Sequence, residues 1–228
     1  MKKALRLLLV FCTALCFAGC SKDQKTKDTD TFFTALNHVF EAQTLQLDGN
    51  AAFNEASGTF GFWLDQKGKL SLALEIEPEG AKPIAFYIRD GKTYLNYMGT
   101  KTQSIVQNIG LKDDSKLSVY NPFLDLNRKE RAALFDSISK NGNEYKFVIN
   151  KTKLQTLLDS FGSLSLDKAE MSAVIENGEL RELTLEFTGA IMMTDEPAAV
   201  ALDAQIYTEA MNETITIPYP ADLDQYAR

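Results

Sequence analysis

Few side chains in this sequence have the types and spacing that catalysis requires. The single histidine, His38, excludes metal sites built from several histidines and is the one candidate base for a serine nucleophile. Helical spacing puts it opposite the apolar face of its segment, and the chain has no Gly-x-Ser-x-Gly sequence. Ser137 and Lys140 have a Ser-x-x-Lys spacing, but they fall at a predicted helix end. The pairs Asp113-Asp114 and Asp222-x-Asp224 lack the spacing of a calcium loop. We therefore predict no catalytic residue, no metal ligand and no cofactor.

Cys20 is the residue whose surroundings indicate a specific chemistry. The chain opens with three basic residues and no acid, continues with eleven uncharged residues at 7–17, and has two small residues before Cys20. Basic, apolar and small segments in this order are typical of a secretory signal. The apolar run is too short for a membrane-spanning helix, which needs about 20 residues.

The sequence Phe17-Ala18-Gly19-Cys20 resembles the lipobox of bacterial lipoproteins, which usually has Leu at the position of Phe17. The resemblance implies that residues 1–19 are removed as a signal peptide and that the Cys20 sulfur receives a diacylglyceryl group. Two acyl chains give stable membrane anchoring, whereas one gives marginal attachment. We expect a protein that is lipid-anchored to the cell membrane on its extracytoplasmic side. The alternative is an ordinary secretory signal followed by an incidental cysteine.

Cysteine content and charge constrain the mature protein. The other cysteines, Cys12 and Cys16, lie in the predicted signal, so the mature domain has no disulfide and depends on its hydrophobic core. The formal charge of −7 becomes −10 when the three basic residues of the signal are removed. A surface of this charge repels nucleic acid and anionic headgroups. We therefore expect no nucleic-acid partner and membrane attachment through the lipid alone.

A polar segment precedes the folded domain. Residues 21–30, SKDQKTKDTD, contain no apolar side chain, which predicts a flexible tether over 20–30 with a reach of at most about 35 Å. The domain then covers residues 31–226. Its first element, TDTFFTALNHVFEAQ at 29–43, has apolar residues at helical spacing.

Alternating apolar and polar residues predict strands over most of the remaining chain. Short runs lie between Leu45 and Met98, and Asp90-Gly91 predicts a tight hairpin among them. A middle section predicts a helix from Asn127 to the Asn141-Gly142 pair, a strand at 145–149 and a helix at 154–161. Strands resume at 171–206 with a hairpin at Asn177-Gly178, followed by a strand at 214–217 and a polar tail, ADLDQYAR.

Strands with one apolar and one polar face are typical of an antiparallel sheet with one side in water. We therefore predict the α+β class, with a single curved antiparallel β-sheet, a half-barrel, and about three helices on its inner face. Segments 58–89 and 169–208 share a plan of strand, turn, strand, loop and strand. This similarity is explained either by an internal duplication or by the general pattern of hairpins.

The order of these elements resembles the superfamily of LolA, LolB and LppX over about residues 30 to 226. The ending ITIPYPADLDQY, residues 215–226, is similar to that of several uncharacterised anchored lipoproteins of Gram-positive bacteria. The resemblance implies a half-open β-barrel closed by helices over an apolar cavity. No residue of this chain can be matched to a lipid-binding arginine of the superfamily.

Six apolar residues share one predicted sheet face and are the candidate lining of a cavity: Phe60, Phe62, Leu72, Leu74, Phe86 and Ile88. Such a cavity would hold an acyl chain or another hydrophobic ligand. The alternative is that helices fill the same space as solid core. Trp63 lies on the other face of its strand and is expected to pack there.

Two functions follow from these features. The first is a membrane-anchored, non-enzymatic protein that binds a lipid or lipoprotein in a cavity between sheet and helices. The second is a protein-interaction or regulatory module that docks on another cell-envelope protein. An enzyme is the third and least supported interpretation.

Overall fold

The structure is a computed structural model of the 228-residue chain. It describes residues 24–111, 116–117, 123, 125–158, 163–192 and 197–227. The predicted signal peptide and Cys20 lie outside the described residues.

Eleven antiparallel strands of the described residues form one sheet. Their bounds are β1 Thr44–Phe53, β2 Ala56–Asp65, β3 Ser71–Pro78, β4 Ile84–Arg89, β5 Lys92–Tyr97, β6 Thr100–Ile105, β7 Phe135–Asn141, β8 Glu144–Ile149, β9 Ser163–Glu176, β10 Glu179–Met192 and β11 Pro197–Met211. The strand order is β6-β5-β4-β3-β2-β1-β11-β10-β9-β8-β7, so β6 and β7 are the edges and the sheet does not close. The predicted α+β class and the single antiparallel sheet are confirmed.

Three α-helices accompany the sheet in the described chain: α1 at 24–40, α2 at Arg128–Ala133 and α3 at Lys151–Leu158. The start of α1 lies at β7, because the Lys25 Nζ donates a hydrogen bond to the Phe135 carbonyl. Beyond its other end, Ala42 packs with Leu45 of β1 and Leu64 of β2. From β7 to β1 the sheet has five strand spacings, about 24 Å, which is close to the length of a 17-residue helix. Helix α1 therefore crosses half of the inner face.

The predicted tether is wrong for residues 24–30, which form the first turns of α1. Polar side chains bond within the helix there: the Thr29 hydroxyl donates to the Lys25 carbonyl at 2.8 Å, and the Gln24 amide donates to the Asp28 carboxylate at 2.9 Å. Asp28 and Thr29 are buried against the domain. A segment without apolar residues is ordered here because the neighbouring turns of the same helix are fixed in the core.

The predicted tight hairpins are present. Asp90 and Gly91 connect β4 to β5 with φ of 51° and 72°, and Asn177 and Gly178 connect β9 to β10 with φ of 53° and 81°. Both central residues of each turn thus have the positive φ that a two-residue hairpin needs.

The helix predicted from Asn127 to Asn141 is wrong beyond Ala133. Asn127 and Glu130 form the predicted capping box, but residues from Phe135 onward form β7. The register of β7 shifts after Phe135, so that Phe135 pairs with Ile149 and Ile138 with Phe147. A bulge of this kind gives a strand an apolar spacing of three, which imitates a helix. The Ser-x-x-Lys sequence consequently lies on an edge strand.

The C-terminal segment is not a strand at 214–217 and is not a solvated tail. Leu223 and Tyr226 are buried on the outer face of the sheet against Tyr87 and Tyr94. Ion pairs join Asp222 to Lys101 and Asp224 to Arg89. The Ala227 backbone pairs with β6, which the sequence analysis did not predict as a strand.

Candidate functional site

The inner face of the sheet has two parts: one is covered by closely packed side chains, and the other encloses a cavity. Over β1–β6 it is covered by a compact hydrophobic cluster, in which buried Leu45, Leu64, Ile88 and Val106 are joined by Leu111 and Leu117 from the connection after β6. The Gln66 Oε1 accepts a hydrogen bond from the Leu117 amide at 3.0 Å and so holds this connection against the sheet.

The six predicted cavity residues lie on this filled part. The strand register puts them on one face, as predicted: Phe62 pairs with Leu74, Leu74 with Phe86, and Leu72 with Ile88. All of these except Phe60 belong to the hydrophobic cluster, and the ring of Phe60 packs over Gly49. None of the six lines the cavity described below, so the predicted location of the cavity is corrected. The solid-core alternative holds for this part of the sheet.

The other part of the inner face, over β1 and β8–β11, encloses a cavity of about 550 Å³ that is partly open to solvent. Its floor is formed by strand residues and its roof by the helices. Its lining is Phe32, Phe33, Leu36, Phe40, Phe53, Phe123, Leu134, Phe135, Ile149, Leu154, Leu158, Leu166, Met171, Leu183, Leu185, Phe187, Thr188, Gly189, Val200 and Leu202.

Aromatic packing holds the roof in place. The ring of Phe32 contacts those of Phe33, Phe135 and Phe147 with centroid separations of 5.4, 6.2 and 4.8 Å. Phe135 and Phe147 are themselves 4.8 Å apart. These contacts fix α1 on the β7–β8 hairpin and leave the space beside it, toward β10 and β11, unfilled.

The short helix α2 completes the roof. Its N-terminus is held by the Asn127 Oδ1, which accepts hydrogen bonds from the amides of Lys129 at 3.0 Å and Glu130 at 3.1 Å. The Glu130 carboxylate accepts from the Asn127 amide at 2.8 Å. This capping box starts the helix whose last turn leads into Leu134 of the lining.

The chemistry of the lining is that of a binding site for an uncharged apolar group. Eighteen of the twenty lining residues carry apolar side chains, and Thr188 is the one with a polar side chain. Among the described residues no acidic or basic side chain lines the cavity; the Arg131 guanidinium packs on a lining residue, 4.9 Å from the ring centroid of Phe33. The volume is within the range of about 300–1,000 Å³ that is usual for ligand pockets. Phe40 and Phe53 are 37% and 52% exposed and give the opening an apolar rim.

A second, smaller concavity lies on the outer face of the sheet, where Asp48, Glu75 and Glu77 surround Trp63. Trp63 packs over Gly61 and against the buried tyrosine cluster, which confirms its predicted packing role. The Tyr87 hydroxyl donates to Glu75 at 2.8 Å, and burial, followed by this bond, raises the pKa of Tyr87 far above its ordinary value. Among the described residues no group of His, Cys, Asp and Glu has the arrangement of a metal site.

His38 is exposed on α1, as its position in the helical pattern predicted. Most of the cavity residues that sequence reasoning missed lie on β9–β11, α1 and α3, and the others lie on β1, β7 and β8 or beside α2. Leu183, Leu185 and Phe187 alternate with polar residues in the same way as the six predicted residues do. One sequence signal indicated that α1 forms part of the lining. It is the cluster of four aromatic and aliphatic residues on this helix, Phe32, Phe33, Leu36 and Phe40.

The comparisons with known proteins concern the fold. No protein-family model matches the chain, and no curated protein matches it in sequence. Similar solved structures include LprF from Mycobacterium bovis, with 8% identity, a TM-score of 0.44, and coverage of 86% of this chain and 97% of LprF. The Mycobacterium tuberculosis lipoprotein LppX has 7% identity, a TM-score of 0.44, and coverage of 82% and 96%. A LolA superfamily protein from Nitrosomonas europaea has 9% identity, a TM-score of 0.28, and coverage of 83% and 94%.

These solved structures include LppX and a LolA superfamily protein, which belong to the superfamily that the order of elements resembles. At these identities and TM-scores the likeness carries no argument about ligand or function.

Proposed function

We propose that this protein is a membrane-anchored, non-enzymatic protein that binds acyl chains in the cavity between α1–α3 and the sheet. The observation that carries the proposal is the cavity of about 550 Å³, whose described lining residues are apolar and include no charged side chain. Burial in such a lining is favourable for a hydrocarbon chain by about 0.8 kcal/mol per CH₂ group. A charged headgroup finds no counter-charge among the described lining residues and stays at the rim beside Phe40 and Phe53.

Anchoring by acyl chains on Cys20 is part of the same proposal and is supported by the sequence of residues 1–20. No helix in the described part of the chain has the length and apolar character needed to cross a bilayer. The bound chain belongs either to a free lipid or to the acylated terminus of a lipoprotein, since the two share the same hydrocarbon chemistry.

Ligand binding is tested by native mass spectrometry of the mature protein and by displacement of a fluorescent fatty acid. We expect copurifying lipid and saturable displacement. Replacing Leu185 of the cavity floor by Trp fills the space and should weaken binding of the fatty acid at least about tenfold, a loss of about 1.4 kcal/mol. Val148→Trp is the matched control, because Val148 is exposed and lies outside the lining. Equal binding by both variants, or a wild-type protein that binds no fatty acid, would contradict the proposal.

The second candidate function, docking on another envelope protein, is favoured by one surface. An exposed apolar patch lies at the β5–β6 hairpin and consists of Leu95, Tyr97 and Met98, each at least 40% exposed. A photo-crosslinking amino acid at position 97 in growing cells would capture one defined partner if this surface is an interface. The same amino acid at exposed Glu55 is the control. Identical, diffuse products at both positions would exclude docking through the patch.

A further inference from the structure

The start of α1 limits how far the domain can be from its anchor. The structure is helical from residue 24, so only four peptide steps separate Cys20 from the helix. Four residues span at most about 14 Å, compared with about 35 Å for the predicted tether. If Cys20 is acylated, which is part of the proposed function, the first turn of α1 lies close to the membrane surface.

The first turn of α1 identifies which side of the domain this is. Lys25 bonds to the first residue of β7, and the Arg128–Asp30 ion pair joins α2 to the same half of α1. Strand β7 is one edge of the sheet, and the opposite edge, β6, is ten strand spacings away. A short connection to the anchor therefore brings the β7 edge to the membrane and directs the β6 edge away from it.

The elements at the β7 edge differ in charge from the segment that follows them in the chain. Residues 125–158, which contain α2, β7, β8 and α3, have seven basic and four acidic side chains. The described residues from 163 to 227 have two basic and eleven acidic ones. The elements next to the β7 edge, residues 125–158, thus have a net charge of 7 − 4 = +3, whereas the described residues from 163 to 227 have 2 − 11 = −9.

Three exposed lysines on this side make no ion pair with another described residue: Lys27 on α1, Lys129 on α2 and Lys140 on β7. The Lys140 ammonium lies 4.6 Å from the ring centroid of Tyr145, which holds it at the strand edge. Lysines within a Debye length of an anionic bilayer are attracted to it, and this length is about 8 Å at physiological ionic strength.

We propose that the β7 edge, with Lys27, Lys129 and Lys140, is a docking surface for anionic lipid headgroups and sets the orientation of the anchored domain. The acyl chains on Cys20 supply the attachment and the lysines supply the orientation. The apolar β5–β6 patch then faces away from the bilayer.

A pair of single-cysteine variants tests this orientation. Because the mature protein has no thiol besides acylated Cys20, a dye can be attached at one introduced cysteine, either Ser139→Cys on β7 or Gln107→Cys beyond β6. The acylated protein is inserted into vesicles of phosphatidylcholine, or of equal parts phosphatidylcholine and phosphatidylglycerol. Energy transfer to a headgroup-labelled lipid is then measured. We expect higher transfer from position 139 than from 107, with the ratio rising when phosphatidylglycerol is present.

Charge-reversal variants distinguish the effect of the lysines on orientation from the effect of the short connection to Cys20. The combined variant Lys27→Glu, Lys129→Glu and Lys140→Glu should abolish the rise caused by phosphatidylglycerol. A matched variant with the same change of charge on the other half of the sheet, Lys69→Glu, Lys82→Glu and Lys92→Glu, should retain it. Thermal unfolding of both variants verifies that they are folded.

Two outcomes overturn the inference in different ways. Equal transfer from both labels in acylated protein, or higher transfer from position 107, would refute the orientation and leave the anchoring proposal standing. A mass spectrum of membrane-derived protein with an unmodified Cys20 would refute the anchoring, and the orientation with it.

Discussion

The two parts of the inner sheet face have the same alternation of apolar and polar residues, but one is packed as solid core and the other borders a cavity. On β2–β4, alternating Phe and Leu residues are packed into solid core. On β10 and β11, alternating Leu and Phe residues form the floor of a cavity. The alternation therefore indicates which side of a strand avoids water, and the distance to the covering element determines whether the space is filled.

The covering elements of the two parts differ in kind. Over β1–β6, apolar side chains of the connection after β6, Val106, Leu111 and Leu117, pack directly on the sheet. Over β8–β11, helices with large rings pack on each other, as Phe32 does on Phe135 and Phe147, before they meet the floor. A roof that is supported by its own contacts can remain above an empty space.

The largest expected difference is in stability after loss of a leucine side chain. Leu72→Ala in the filled part should lower the free energy of unfolding by about 2–5 kcal/mol, because a close-packed site cannot collapse. Leu185→Ala in the cavity floor should cost only about 1 kcal/mol, because that side chain already faces unfilled space. Urea unfolding of both variants measures the difference. Equal losses would mean that the cavity is filled in solution.

A bound ligand should stabilise the two parts unequally. A fatty acid at about 100 times its Kd should raise the free energy of unfolding by about 2.7 kcal/mol. Hydrogen exchange should slow more in α1 and α3 than in β3 and β4, because the cavity is lined from those helices and not from those strands. Slower exchange concentrated in β3 and β4 would instead locate the ligand at the six residues predicted from the sequence.

The capping box links helix stability to the roof of the cavity. Asn127→Ala should lower the free energy of unfolding by about 1 kcal/mol, because two amides of α2 lose their acceptor. It should also weaken fatty-acid binding, since Leu134 follows this helix. Asn127→Asp keeps an acceptor at the same position and is the control. A binding constant that is unchanged in Asn127→Ala would show that the roof does not depend on the cap.

Alkaline pH should destabilise the protein through the tyrosine cluster on the outer face of the sheet. The pKa of Tyr87 is raised, first by burial and then by its bond to Glu75, and burial also raises the pKa values of Tyr219 and Tyr226. Above pH of about 10 the unfolded chain loses these protons before the folded protein does, so stability falls as pH rises. Tyr87→Phe should reduce the slope of stability against pH above 10, and Tyr207→Phe serves as comparison. An unchanged slope in Tyr87→Phe would contradict the role of the raised Tyr87 pKa in this pH dependence.

Sequence patterns predicted correctly those features that depend only on residues close together in the chain. The positive φ of Asp90-Gly91 and the capping box at Asn127 depend on neighbours in sequence, and both are present. The bulge after Phe135 was not predictable, because its spacing of three residues is also that of a helix. The cavity was assigned to the wrong strands because its position depends on where α1 crosses the sheet. That path is fixed by Lys25 and the aromatic rings through contacts more than 100 residues apart in sequence.

The C-terminal segment has a consequence for the behaviour of the protein at high concentration. Ala227 occupies the backbone groups of Lys101 and Gln103 in the middle of β6, so this edge is partly closed to strand addition by another molecule. The opposite edge, β7, carries charged Asp136 and Lys140 and a bulge, which are features that discourage such pairing. A crowded layer of these domains is therefore protected at both ends of the sheet against growth into a shared, intermolecular one.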